Sequence, residues 1–302
     1  MVMVSSSLTK RYALPGRRAS VSSRRNQMRS LVFGAGLFGP KYLKLLAAAH
    51  SGDLARLRNA ERSWARSAAR GAKLTVETHG LDYVDPQQQY VVVPLHEGFA
   101  DVLALLRLPL DLTFSAAQEL FDWRLVGRYL KASGHTSLPR TNGPHAYRTM
   151  IRAAESTFSR GESYVVFPQG SILGIETAFH SGAFHLAART GKDILPIVLT
   201  GGATVWAHPF SDHLNFNQTV RLEVLKSVPP DEAVSRAREI ETTMKDRALR
   251  ASPGPRHFNP AVDGWWDDYP YEIDPRFTDL AARLSTHRVA TIRTTTAAST
   301  DH

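Results

Sequence analysis

The sequence predicts an α/β fold: a single domain with a mainly parallel, mixed sheet flanked by helices, preceded by an N-terminal helical arm. Strand-like and helix-like segments alternate between residues 73 and 250, as expected when helices cover a sheet. Several strand segments are continuous apolar runs, such as Val91–Val93, which is typical of strands buried on both faces. The chain has 302 residues, 43% of them hydrophobic, which is enough for one large core.

The elements follow in order along the chain. An amphipathic helix is predicted over 41–70, where leucines and Trp64 recur at helical spacing between arginines, and Gly71 ends it. Seven strands are predicted at 73–78, 90–94, 111–114, 135–138, 162–167, 194–199 and 219–225. Helices are predicted between and after them at 98–107, 117–131, 144–160, 182–190 and 230–250.

These elements give four regions. Residues 1–40 form a basic, partly disordered arm with a short apolar segment, and residues 41–72 form an amphipathic helical segment. Residues 73–250 form the α/β domain. Residues 251–302 form a tail that is rich in proline and aromatic residues and is expected to pack on the surface, with a polar end.

Charge is concentrated in the arm. Residues 1–52 hold nine lysines and arginines and no acid before Asp53, so they account for the whole formal net charge of +9. Leu31–Gly39 is apolar but shorter than the roughly 20 residues that a spanning helix needs. We expect the arm to contact an anionic membrane surface; a targeting segment or a disordered tail are the alternatives. Nucleic acid is disfavoured because the arm has few aromatic residues for stacking.

A histidine and a carboxylate mark the candidate active site. His96 follows the apolar strand, and Asp101 comes five residues later at the predicted start of a helix. Both side chains can meet at the carboxyl end of the strand, where the carboxylate would fix the imidazole tautomer and strengthen the other nitrogen as a base. No nucleophile lies near in sequence, so we expect the activated hydroxyl to belong to a substrate.

Other hydrolytic and phosphate-transferring classes are disfavoured. The chain has no cysteine, which excludes thiolate catalysis and zinc–thiolate sites. It has no G-x-S-x-G nucleophile turn and no Gly-Lys-Ser/Thr phosphate loop. Ala100 stands where a zinc-binding partner of His96 would be needed.

Two further strand ends carry polar or flexible residues. One strand leads into Leu138-Pro-Arg140, and the guanidinium of Arg140 could hold a phosphate or carboxylate. Another leads into Phe167-Pro-Gln-Gly-Ser171, where Gly170 lets a ligand approach the main chain closely.

Taken in order, these segments resemble the motifs of the glycerolipid acyltransferases, the lysophosphatidate acyltransferase superfamily. The resemblance covers roughly residues 73–225 and includes His96-x4-Asp101, Leu138-Pro-Arg140, Phe167-Pro-Gln-Gly170, Phe179–Ala187 and Ile194-Leu-Pro-Ile197. It implies transfer of a fatty acyl group from acyl-CoA or acyl carrier protein to a lipid hydroxyl, most simply 1-acylglycerol 3-phosphate to phosphatidate.

The resemblance also implies roles for individual residues. His96 would be the general base and Asp101 its orienting partner, and the acceptor would be held by Arg140, Pro168, Gln169, Gly170 and Ser171. It implies no metal and no bound cofactor, since the thioester is a co-substrate. The protein would be peripheral on the cytoplasmic face of a membrane, with organelle targeting by the arm as a further possibility.

The chain departs from the family pattern beside these residues. Leu95 replaces an asparagine, Gly98 a serine and Gln169 a glutamate, and the usual threonine–arginine pair after the glycine is Ser171-Ile172. Ser181 stands where a lysine is frequent. Two alternatives therefore stay open: acyl transfer to a lipid, amine or sugar without phosphate, and an inactive membrane-surface binding protein on the same fold.

Overall fold

The computed structural model describes residues 24–138, 143–170, 177–206 and 214–251. Within them the strands form one sheet in the order β1-β7-β6-β2-β5-β3-β4. The strands are β1 (Thr75–His79), β2 (Tyr90–Pro94), β3 (Leu112–Ala117), β4 (Thr136–Leu138), β5 (Ser163–Val165), β6 (Asp193–Thr200) and β7 (Thr219–Val224). All neighbours pair in parallel except β6 and β7, which are antiparallel. The predicted mainly parallel, mixed sheet is confirmed.

Helices cover both faces of the sheet. They are α1 (Arg24–Leu37), α2 (Pro40–Ala49), α3 (Leu54–Gly71), α4 (Ala100–Leu105), α5 (Gln118–Asp122), α6 (Val126–Ala132), α7 (Pro144–Ser159), α8 (Gly182–Thr190), α9 (Gly202–Val205) and α10 (Ala237–Ala251), with a 3-10 turn at Leu81–Tyr83.

Three predicted helices have different bounds in the structure. The segment 41–70 is two helices, because Asp53 caps a new one: its carboxylate accepts the Arg56 N–H at 2.9 Å. The segment 117–131 breaks at Trp123, whose backbone is extended. The last helix begins at Ala237, since the residues after Pro230 form turns.

The core lies on both faces of β2. Val91, Val92 and Val93 are fully buried, although neighbouring side chains in a strand point in opposite directions. Val92 joins the cluster under α3 and α4, while Val91 and Val93 join the cluster under α7, α8 and α10. Burial on both faces explains why this strand is an uninterrupted apolar run.

The helical arm packs on the domain. Trp64 in α3 donates its indole N–H to Leu37 O at 3.0 Å, and Phe33 meets Phe216 edge to face at 5.9 Å. Arg29 lies 4.5 Å from the centre of the same Phe216 ring. The arm is therefore attached to the segment before β7 as well as to α3.

The arm is longer and more apolar than Leu31–Gly39 alone indicates. Helices α1 and α2 together make one segment, Arg24–Ala49, of 26 residues that is long and apolar enough to cross a membrane by length and composition. Core helices and signal sequences meet the same criterion. Met28, Val32 and Leu43 on this segment are exposed. The predictions for residues 1–23 and for the tail after 251 lie outside the described residues.

Candidate active site

His96 is placed at the carboxyl end of β2 by the central position of that strand. Leu95 is fully buried and donates its N–H to Ile197 O of β6 at 2.9 Å, so the chain is still held by the sheet one residue before the histidine. The backbone then turns into α4, whose first turn carries Asp101. The structure thus brings together the two residues that the sequence predicted as a pair.

One oxygen of Asp101 collects three donors. His96 Nδ1 lies 2.8 Å from Asp101 Oδ2, and the same oxygen accepts the N–H groups of Glu97 at 2.6 Å and Gly98 at 2.9 Å. A carboxylate only accepts, so in the neutral imidazole the proton lies on Nδ1 and the lone pair on Nε2. No hydrogen bond to Nε2 comes from the described residues. The arrangement can support His96 as a general base.

The two side chains of this pair differ in solvent exposure. Asp101 is fully buried, while the His96 side chain is 16% exposed and stacks on Phe167 with ring centres 4.0 Å apart. Burial raises the pKa of Asp101, against the hydrogen bonds from His96 and from the Gly98 N–H, which lower it. Oδ1 of Asp101 finds no hydrogen-bond partner among the described residues.

Glycines let the turn after β6 pack against the buried carboxylate. A methyl group on Gly202 would overlap Oδ1 of Asp101, and one on Gly98 would lie 3.1 Å from Gly202 O. Gly201 has a positive φ of 89° and donates its N–H to the buried carboxylate of Glu97 at 2.9 Å. Sequence reasoning missed Glu97 and this turn, because 104 residues separate the two partners.

The Pro168–Gly170 turn lies beside His96. Gln169 is fully buried, and its side-chain oxygen accepts the His96 N–H at 3.0 Å. Gly170 has a φ of 62°, in the left-handed region that favours glycine. The His180 N–H donates to Pro168 O at 2.8 Å, which closes the base of the loop. Arg140 and Ser171, the other two predicted acceptor contacts, lie outside the described residues.

The segment after that loop is held by a helix that sequence reasoning did not connect to the site. Lys245 of α10 is fully buried and donates to Thr177 O at 2.8 Å and to Glu241. Glu241 accepts the Phe179 N–H at 3.0 Å. The signal available in the sequence was the i, i+4 spacing of Glu241 and Lys245. Within the described residues, no group of three His, Asp or Glu side chains could hold a metal ion.

Comparisons with known proteins show that this chain is similar to acyltransferases. A family model described as Acyltransferase matches residues 75–200, which contain His96, Asp101 and Gln169. A human protein named 1-acyl-sn-glycerol-3-phosphate acyltransferase alpha is 30% identical over 130 residues, 42% of this chain and 46% of its own length. A coconut protein named 1-acyl-sn-glycerol-3-phosphate acyltransferase is 26% identical over 139 residues, 45% of this chain and 44% of its own length.

This chain therefore spans less than half the length of these curated relatives. The fold has a solved counterpart in the crystal structure of the 1-acyl-sn-glycerophosphate acyltransferase PlsC from Thermotoga maritima. The two superpose with a TM-score of 0.62 over 77% of this chain and 98% of that one, at 19% sequence identity. At that identity the match shows a shared fold.

Proposed function

We propose that this protein transfers a fatty acyl group from a thioester to the hydroxyl of a lysophospholipid, because residues 75–200 match the family model described as Acyltransferase. The donor is the acyl thioester of CoA or of acyl carrier protein, and no resident cofactor is needed. The observation that carries the proposal is the His96–Asp101 hydrogen bond inside the matched residues, with Nε2 of His96 directed away from the buried carboxylate.

In the proposed reaction, Nε2 of His96 removes the proton from the acceptor hydroxyl. The hydroxyl oxygen attacks the thioester carbonyl carbon, a C–O bond forms, and the C–S bond of the tetrahedral intermediate breaks. The proton passes from His96 to the leaving thiolate, so the histidine ends neutral. Asp101 holds the ring and stabilises the transient imidazolium, and base assistance of this kind contributes about 10²- to 10⁴-fold.

The acceptor we favour is 1-acylglycerol 3-phosphate, giving phosphatidate. The names of the human and coconut relatives support this choice. Following the motif resemblance, the proposed acceptor contacts are Arg140, Pro168, Gly170 and Ser171. The resemblance places Gln169 among them, but its side-chain oxygen accepts the His96 N–H. An acceptor without phosphate is the alternative, since Ile172 and Ser181 stand where a basic residue is usual in the family.

We also propose that the protein works at an anionic membrane surface. Exposed apolar residues of the arm, Met28 and Val32, lie on the same helix as Arg24 and Arg25. Phe99, three residues after His96, is exposed and meets Trp206 edge to face at 6.4 Å. Aromatic rings at this position suit a lipid–water boundary. Release from vesicles by high salt would support peripheral attachment, and retention would indicate a spanning arm.

The direct test is thiol release from acyl-CoA and acyl carrier protein donors with a panel of acceptors. Wild type, His96→Ala and the exposed control His145→Ala should be compared on anionic vesicles. We expect acceptor-dependent release by wild type and His145→Ala, and its loss in His96→Ala. Equal release by His96→Ala would contradict the role of His96. Folded, vesicle-bound wild type without release from any combination would favour a binding protein instead.

A further inference from the structure

The backbone of His96 lies beyond the end of the ladder between β2 and β5. Val166 donates its N–H to Val92 O at 2.9 Å, which is the last backbone hydrogen bond between these two segments. Residues 94 and 168 are both prolines, which have no N–H to continue the ladder. Pro168 O accepts from His180 instead. His96 therefore has sheet support on the β6 side only, through Leu95.

The side chain of Gln169 contacts the His96 backbone on the side where none of the described strands pairs with it. Its Oε1 accepts the His96 N–H at 3.0 Å, and its Nε2 lies 3.5 Å from His96 O. One primary amide thus brackets both backbone polar groups of the same residue, as a neighbouring strand would. The Gln169 side chain is fully buried, where a polar group left without a hydrogen-bond partner is costly.

An amide is suited to this position because it offers one acceptor and donors, as a peptide group does. An ionised carboxylate of the same shape could accept from the His96 N–H but could not donate to His96 O. Leucine has nearly the same volume and could do neither. Glutamine, glutamate and leucine at position 169 therefore distinguish the bond from the His96 N–H from the contact with His96 O, without a large change in packing.

We propose that Gln169 is a positioning residue: it fixes the main chain at His96 so that Nδ1 meets Asp101 and Nε2 points to the substrate. The inference rests on the proposed function of His96 as the base. It assigns Gln169 to the histidine rather than to the acceptor. Positioning of this kind matters because a displacement of about 1 Å at a reacting group can cost about 10²-fold in rate.

The test compares Gln169→Leu and Gln169→Glu with a matched control at the other end of β2. Gln89 also uses a side-chain amide in both directions, donating to Phe158 O at 2.8 Å and accepting from Lys192 at 2.7 Å. We expect Gln169→Leu to lower kcat by about 10- to 100-fold, with the acceptor KM nearly unchanged. Gln169→Glu should fall between it and wild type, and Gln89→Leu should keep the wild-type kcat.

A rise in acceptor KM with normal kcat would place Gln169 on the substrate and overturn the proposal, as would wild-type kinetics in Gln169→Leu. A second readout does not depend on turnover. The downfield proton resonance of His96 Nδ1–H, assigned by its loss in His96→Ala, should disappear or broaden in Gln169→Leu and persist in Gln89→Leu. Its persistence in Gln169→Leu would overturn the proposal, whereas an inactive wild type with these expected spectra would refute only acyl transfer. If Gln169→Leu does not fold, Gln169→Glu carries both readouts.

Discussion

Two histidine–carboxylate pairs lie at opposite ends of the same sheet. His96 and Asp101 follow the carboxyl end of β2, whereas His135 and Glu61 lie where β3, β4 and β5 begin. His96 has a 16% exposed side chain and one nitrogen that no described residue occupies. His135 is 3% exposed, its Nδ1 accepts the Phe114 N–H, and its Nε2 lies 3.0 Å from the Tyr129 hydroxyl.

The carboxylates differ as much as the histidines. Burial raises the pKa of Asp101, because its one well-bonded oxygen does not offset the loss of water. Burial alone would raise the pKa of Glu61 too, but His135 and Arg58 outweigh it and hold that pKa below its usual range. Arg58 binds both oxygens of Glu61, at 2.7 and 2.8 Å, and also contacts Glu162.

The two pairs differ in the groups that surround them. Each pair places an imidazole and a carboxylate within or close to hydrogen-bonding distance. At the His135 end every group is satisfied, and the network fastens α3 to the sheet. At the His96 end one nitrogen stays accessible and the carboxylate is left partly unsatisfied, which favours a stronger interaction with an imidazolium.

The largest expected effect separates the two histidines. His96→Ala should lower kcat by about 10²- to 10⁴-fold, because it removes the proposed base. His135→Ala should keep kcat and instead lower the free energy of unfolding by about 1–3 kcal/mol, because Phe114 N–H and Tyr129 lose a buried partner. Steady-state kinetics and urea unfolding on both variants test this. A large loss of kcat in His135→Ala would remove the distinction.

The next effect is on stability at the structural end. Arg58→Met should lower the free energy of unfolding by about 3–5 kcal/mol, because Glu61 and Glu162 remain buried without their cation. The control Arg62→Met removes a partly exposed ion pair with Asp111 and should cost about 1 kcal/mol or less. Equal midpoints for the two variants in urea unfolding would mean that the network does not fasten α3.

Glycine substitutions sharpen the comparison further. Gly202→Ala places a methyl group on Asp101 Oδ1, so we expect about 1–3 kcal/mol of destabilisation and a loss of kcat. Gly134, beside His135, has a positive φ of 75° but open space around it. Gly134→Ala should therefore cost about 1 kcal/mol through backbone strain and leave kcat unchanged. A normal kcat in Gly202→Ala would show that the site tolerates a shifted Asp101.

The smallest expected effect is on the pH dependence of the unfolding free energy, to which Asp101 and Glu61 should contribute with opposite signs. The folded pKa of Asp101 is raised, so its contribution to stability is lost as pH rises from near 4 through that pKa. Asp101→Asn should gain stability relative to wild type over this rise. The folded pKa of Glu61 is lowered, so its contribution is lost as pH falls through that pKa, and Glu61→Gln should lose relative stability as pH rises. Unfolding free energies between pH 3 and 7 test both slopes, and slopes of the same sign would contradict the assignment.

The sequence by itself determined the local features of this protein. The seven strand positions, the mainly parallel sheet and the matched acyltransferase residues follow from apolar runs and motif order. The meeting of His96 and Asp101 is also local, since five residues of backbone between a strand and a helix leave few arrangements. Their roles, like those of Arg140 and Ser171, stay predictions.

Only the tertiary structure decided which distant groups surround that pair. Gln169 reaches the His96 backbone across 73 residues, and Glu97 meets Gly201 across 104. The structure also placed β7 antiparallel to β6 and filled both nitrogens of His135. Backbone geometry limits what neighbours in sequence can do, whereas contacts between distant residues depend on the strand order. That order is fixed by the burial of all strands together, which no single segment encodes.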